Sequence, residues 1–537
     1  MLPTRASYRP GEEIHIELDP AGRAGQLTVS HLGTPLSTIE IPAGAEVVTL
    51  PELPEGGYAV GLHRAGEPTE WTAVEVLAEP LSRLRYGFVA AFPPGRDVTP
   101  VTALFRRLHL TGAQFYDWAY RHASLVGPDT YTDPLGQPVS MDTVRAMSAG
   151  LRQVGTAPIG YAAVYAVGAQ EWPTWRHAAL LAPDGSPYAL GDFLNLVDPA
   201  DGAWLAHFTA DLRAAARAGG FAGFHLDQYG YPRYAVRPDG RVVDVATAFG
   251  TLIEAVRAAL PDETLIFNNV NDFPVWASTS SPQDVTYTEP WEPHGALADL
   301  AAVAVRSRHL APTRPAVLAA YQTVYAKEDA STAAIANRLT MATLFSHGAT
   351  QLLVGEDGRL LVDPYYVNNH EADPATIDLL ARWYDLLVAA GDVLLAPGLH
   401  DITRAVVGGH NDEIDVSGPD VTVGHEAVAG TVWRRVVDTP HGQLVHLINL
   451  TGQSDTGWDT AKHPVPPVAG LTLRVRRVGP GLPTVRVADP ELGPHFTTIP
   501  AIPAGNHAHV ELPPLNVWQL VLISSTDPQT APREPAR

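Results

Sequence analysis

The hydrophobic rhythm of the chain changes twice. Up to about residue 80, apolar and polar positions alternate in short runs (EEIHIEL, QLTVSHL, STIEIP, AEVVTL, YAVGLH, WTAVEVL) separated by Gly and Pro turns. Period-two alternation between such turns predicts half-buried strands and a small β-sandwich. From Tyr86 to about Ala396 short apolar runs alternate with amphipathic stretches, which predicts βα units and a parallel sheet. Eight strand candidates stand at 86–92, 112–118, 158–167, 221–228, 264–270, 284–290, 316–322 and 349–355. Helical stretches at Pro100–Leu110, Asp142–Val154, Asp201–Gly219, Val243–Leu260, Gly295–His309 and Ser331–His347 fall between most of them, and Pro374–Ala390 follows the last. After Ala396 the helical period stops. TVWRRVV, QLVHLINL, LTLRVRRV, HAHVEL and VWQLVLIS then predict a second β-sandwich before a Pro-rich polar tail.

Eight βα units in roughly 310 residues predict a (β/α)8 TIM barrel flanked by two β-sandwiches, an α/β fold. The rival, a doubly wound open sheet, lacks a Gly-rich phosphate loop after any early strand. The expected domains are residues 1–82, 83–396 and 397–525, with a disordered tail at 526–537.

Composition narrows the function. A chain of 537 residues exceeds one compact core. Its net charge of −22 argues against nucleic acid or an anionic membrane as partner and leaves a neutral polysaccharide admissible. There is no cysteine, hence no disulfide, zinc–thiolate site or thiol nucleophile. The first 20 residues lack the apolar core of a signal peptide, and no apolar run approaches the roughly 20 residues of a membrane span. The expectation is a cytoplasmic enzyme, or an extracellular one if a leader has been removed. Oligomeric state is not readable.

Barrel enzymes carry their reactive groups at the C-terminal ends of the strands. Here those ends read Tyr116-Asp117-Trp118, His225-Leu226-Asp227-Gln228, Asn268-Asn269-Val270-Asn271, Tyr287-Thr288-Glu289-Pro290-Trp291 and Gly355-Glu356-Asp357. Carboxylates, amides and aromatics on one rim suit glycoside hydrolysis, in which two carboxyl groups flank the scissile bond. Each residue also has a plainer reading. Asp227 or Glu289 alone could cap a helix or sit in a loop, and Asp117 could pair with Arg121. Trp118 and Trp291 could be packing residues, His122 and His347 structural histidines, and Glu356 and Asp357 parts of a turn before Gly358. His507 and His509, and the Asp412, Glu413 and Asp415 cluster, lack the spacing of a metal site and read as exposed. No metal or cofactor is expected.

Five segments in order resemble glycoside hydrolase family 66, the dextranases and cycloisomaltooligosaccharide glucanotransferases. They are QFYDWAYRH with YTDPLGQ, GYAAVYAVG, GFHLDQYG, TYTEPW and GEDGRLLVDPYYVNNH. The resemblance implies an N-terminal immunoglobulin-like sandwich, a barrel, a C-terminal sandwich, and retaining cleavage of α-1,6-glucan. It puts the nucleophile on Asp227 and the general acid/base on Glu289. Sugar contacts would fall on Tyr116, Asp117, Trp118 and Gln228, and next on Asn269, Glu356 and Asn368; His122 and Trp291, in the same segments, are further candidate contacts. AYRH and YYVNNH depart from the family pattern, which bears on substrate length or linkage. Cyclising members carry a domain-sized insertion after the third strand. Only 59 residues separate Val167 from Asp227, which favours hydrolysis over cyclisation. The competing expectations are a transglycosylase, a glycosidase for another α-glucan, and a non-catalytic carbohydrate-binding protein.

Overall fold

The computed structural model describes residues 1–524 except 20, 21, 409, 478 and 480. The tail expected at 526–537 lies outside the described residues. Within them, no helix is long and apolar enough to cross a membrane.

The eight barrel strands form where the apolar runs predict them: β1 (Tyr86–Val89), β2 (Gly112–Phe115), β3 (Ala157–Ala163), β4 (Gly223–Asp227), β5 (Thr264–Val270), β6 (Val285–Glu289), β7 (Ala316–Leu318) and β8 (Ala349–Gln351). They pair in parallel in sequence order. A parallel bridge between Phe88 and Gly355 brings the first strand against the segment after the last and closes the ring. Gly355 is required there, because a Cβ would sit 2.2 Å from the Phe88 ring.

Helices α1 (Thr99–Arg107), α2 (Met141–Gln153), α3 (Gly202–Gly219), α4 (Val245–Ala259), α5 (Leu297–Leu310), α6 (Ala330–Ser346) and α7 (Pro374–Ala389) pack outside the strands. Their starts are written in the sequence. Asp201, Asp244, Asp329 and Asp373 each accept first-turn backbone N–H groups, and α3 stops at Gly220 in the left-handed region. Between β5 and β6 only a single turn, Val275–Ser278, is helical.

Strand residues alternate between two layers. Tyr86, Phe88, Ile159, Ile266, Val285, Tyr287 and Val317 fill the barrel interior, while Phe115, Phe224, Leu226, Leu265 and Phe267 join the helix layer. This parity decides which side chains at a strand end reach the mouth of the barrel.

At the N-terminal side, a four-stranded antiparallel sheet (Thr34–Ile41, Gly25–His31, Gly56–His63, Glu70–Val76) faces a three-stranded one around its own core. After α7, a sheet built on Val432–Thr439, Gly442–Asn449 and Trp518–Ser524 covers a four-stranded sheet around another core.

Candidate active site

Asp227 ends β4 and Glu289 ends β6, and both point inward with the odd-numbered residues of their strands. Asn268 of β5 lies between them. Its amide nitrogen donates to Asp227 Oδ1 at 2.7 Å and to Glu289 Oε2 at 3.0 Å. The two oxygens can be no farther apart than those distances laid end to end. Tyr161, on β3, donates its hydroxyl to Asp227 Oδ2 at 2.7 Å, and the Gln228 backbone N–H lowers the pKa of Asp227. Tyr321 and Trp291 stand beside Glu289 with their polar hydrogens lowering its pKa, and their rings stack with centroids 4.8 Å apart.

Burial pushes both carboxyl groups above their ordinary range, and the charge of Glu289 pushes Asp227 further the same way. The hydrogen bonds from Tyr161 and Asn268 to Asp227 and from Asn268 to Glu289, with the polar groups of Tyr321 and Trp291 beside Glu289, pull in the opposite direction. Among the described residues no arginine or lysine lines the cavity at this point, so no positive charge there favours two negative charges at once. Such a pair retains one proton where isolated carboxyls would have lost both. His225 beneath it is buried and held neutral, its pKa lowered to about 3.

The cavity over the pair has a volume of about 250 Å³. It gathers Tyr116, Asp117, His122, Gln228 and Trp291 of the expected set. Asp117 adopts φ +50°. Its carboxyl is raised well above the usual range by burial, then by Asp133 and Asp227. Oδ2 of Asp117 has no hydrogen-bond partner among the described residues, and Arg121 instead donates to the Tyr120 and Thr132 carbonyls. The pairing of Asp117 with Arg121 therefore does not form. Burial lowers His122 to about 4.

Four expectations need correction. Trp118 is fully buried against Phe221, with its indole N–H on the Tyr161 carbonyl; the left-handed turn at Asp117 interrupts the alternation that would have brought it inward. Asn269 faces outward by strand parity and bonds the Tyr287 carbonyl and Ser278. Glu356 is committed to the Ala90 N–H and Arg96, clamping the two ends of the barrel sheet together. Asn368 is exposed on a 3-10 turn and does not line the cavity. Gln228 borders the cavity, but its amide serves the Asn268 and Phe273 carbonyls and the Gly230 N–H.

Several lining residues were not foreseen. Asn268 is the inward neighbour of Asn269. Tyr161, Tyr229, Tyr231, Tyr321, Tyr365 and Tyr366 make the walls aromatic, with Leu190 and Phe193 from the segment after β3. Tyr116 and Tyr366 stack at 3.9 Å, and the Tyr116 hydroxyl donates to the Pro364 carbonyl. Parity within each strand was the available signal for Asn268 and Tyr161. The loop residues carried none.

The sequence profile of "Glycosyl hydrolase family 66" matches residues 3–522. A cycloisomaltooligosaccharide glucanotransferase of Niallia circulans is 23% identical over 339 residues, covering 53% of this chain and 34% of that protein. The chain thus spans about a third of that relative's length. Among solved structures, a cycloisomaltooligosaccharide glucanotransferase from Paenibacillus sp., complexed with cycloisomaltoheptaose, superposes with a TM-score of 0.86 at 18% identity, covering 97% of this chain and 98% of the other. A maltogenic α-amylase from Thermotoga neapolitana superposes at 0.52 and 10% identity over 83% of this chain and 100% of the other. With a profile match over nearly its whole length, the chain belongs to glycosyl hydrolase family 66.

Proposed function

We propose that the protein is a retaining hydrolase of α-1,6-linked glucans, dextran or isomaltooligosaccharides, that works by double displacement. The observation that carries the mechanism is the Asn268 amide shared between the two carboxylates. It holds their facing oxygens below the separation of about 6.5 Å at which inverting enzymes begin and suits the roughly 5 Å of retaining ones.

Asp227, held by Tyr161 and Asn268, attacks the anomeric carbon. With the proton of the pair on Glu289, that residue gives it to the glycosidic oxygen as the bond to the leaving sugar breaks. A glycosyl ester on Asp227 results. Glu289, now ionised, takes a proton from water as the water oxygen attacks the same carbon and the ester bond to Asp227 breaks. Asp117, with a buried oxygen lacking a donor, accepts a sugar hydroxyl, and the tyrosine walls and Trp291 pack on sugar faces.

Transglycosylation is the second reading, because the named relatives are glucanotransferases. Both outcomes share the glycosyl-enzyme and differ in whether water or a sugar hydroxyl accepts it. The short segment after β3 does not separate them, since a solved chain bearing the transferase name is matched over 98% of its length.

The test is chromatography of products from dextran and from isomaltooligosaccharides, beside Asp227→Ala and Glu289→Gln. Isomaltose-series sugars from the unmodified protein alone support the reading, and larger or cyclic products move it to transfer. Full activity in both variants overturns the assignment.

A further inference from the structure

A second cavity, of about 380 Å³, lies at the other end of the barrel, between the N-terminal ends of its strands and the C-terminal sandwich. The last residues of α5 and α6, the 393–401 segment and the strands Val432–Thr439 and Gly442–Asn449 enclose it. Its volume falls in the range of small-molecule sites, about 300–1,000 Å³.

In a chain of net charge −22 this lining is basic. Arg308, Arg435 and four histidines face it, and Asp401 is its one carboxylate. Arg308 donates to the Arg314 and Ala396 carbonyls at 3.3 and 2.7 Å and forms no ion pair among the described residues. Arg435 places Nε on Asp401 at 2.9 Å and Nη1 on the Ser346 carbonyl. Its Nη2 has no partner among the described residues. His347 is oriented by its Nδ1 on the Thr343 carbonyl at 2.7 Å. His446, only 1% exposed and lying flat near Trp518, has no partner for Nδ1.

A buried cation without an ion pair, as at Arg308, and a buried ring nitrogen without a partner, as at His446, cost stability and mark places where a ligand completes the set. Burial lowers the pKa of both arginines, and at Arg435 the charge of Asp401 works against that shift. Val305, Leu394 and Leu399 supply apolar wall beside the cationic groups.

We propose that this cavity binds a small organic phosphate, its oxyanion between Arg308 and Arg435 beside His446 and its carbon skeleton against the apolar wall. Guanidinium groups suit phosphate oxygens by charge and geometry. The inference is independent of the reaction at Asp227, because the two cavities lie at opposite ends of the barrel.

Isothermal titration of the full chain with glucose 6-phosphate, inorganic phosphate and glucose at fixed ionic strength tests it. Glucose 6-phosphate should bind one to one, more tightly than phosphate, and Asp227→Ala should leave that binding unchanged. Arg308→Met should weaken it at least about tenfold, a loss of about 1.4 kcal/mol, with partial recovery in Arg308→Lys. Leu399→Trp, which fills the cavity from a half-buried position, should do the same if Arg308→Met does not fold. The proposal fails if glucose 6-phosphate gives no saturable binding, or binds no better than inorganic phosphate. It fails too if binding survives both Arg308→Met and Leu399→Trp, or if it is lost in Asp227→Ala.

Discussion

Two clusters of buried acids occupy opposite ends of the barrel. At the mouth, Asp227 and Glu289 are surrounded by Tyr161, Asn268, Tyr321 and Trp291, with no cation lining the cavity. At the seam with the N-terminal sandwich, Glu75 ion-pairs with Arg83 and Arg85, and Asp392 pairs with Arg83 and His31. Burial opposes ionisation in both places. At Asp392 the His31 hydrogen bond and the Arg83 charge outweigh it and hold the carboxyl well below its usual range. At the mouth, neutral donors cannot, and the pair stays above it. The same residue types therefore glue a domain seam where arginine is at hand and hold an exchangeable proton where it is absent.

The comparison can be broken by removing one member at a time. Asp227→Ala or Glu289→Gln should lower turnover of isomaltooligosaccharides by several powers of ten, read from initial rates, while the fold persists. Glu75→Gln leaves two arginines facing a neutral group and should cost about 3–5 kcal/mol, read as a lower urea midpoint with the folded enzyme's turnover intact. Asn268→Ala should reduce turnover about 10²–10³-fold. Because the Asn268 bond lowers both carboxyls, its loss should also move the acid limb of the pH–rate profile upward. The smallest effect is on stability. A carboxyl whose folded pKa is raised destabilises the fold as pH climbs past its unfolded value, since the unfolded chain ionises first. Glu289→Gln should therefore raise Tm by about 1–3 °C at pH 8, a gain that fades below about pH 4.

How much of this was legible depended on whether the deciding contact was local. The strands and helices followed from periodicity, and aspartate caps marked the starts of α3, α4, α6 and α7. Asp227 and Glu289 stood out because strand ends and parity are local features. Asn268 and Asn269 carry the same side chain, and only the in-or-out alternation of β5 separates them. Trp118 was misplaced because the backbone turns left-handed at Asp117, and Glu356 because its partner, Arg96, comes from the loop after β1, 260 residues earlier. Tyr321 and Tyr366 reach the cavity from loops after β7 and β8, where no period announces direction.

The most direct test of the central claim is the configuration of the first product. Proton NMR of isomaltotetraose cleavage, recorded faster than mutarotation, should show the α-anomer formed first, with the β-anomer appearing only as the sugar equilibrates. A β-anomer released first would mean that water attacks directly, and would contradict Asp227 and Glu289 acting as a close nucleophile and acid/base pair.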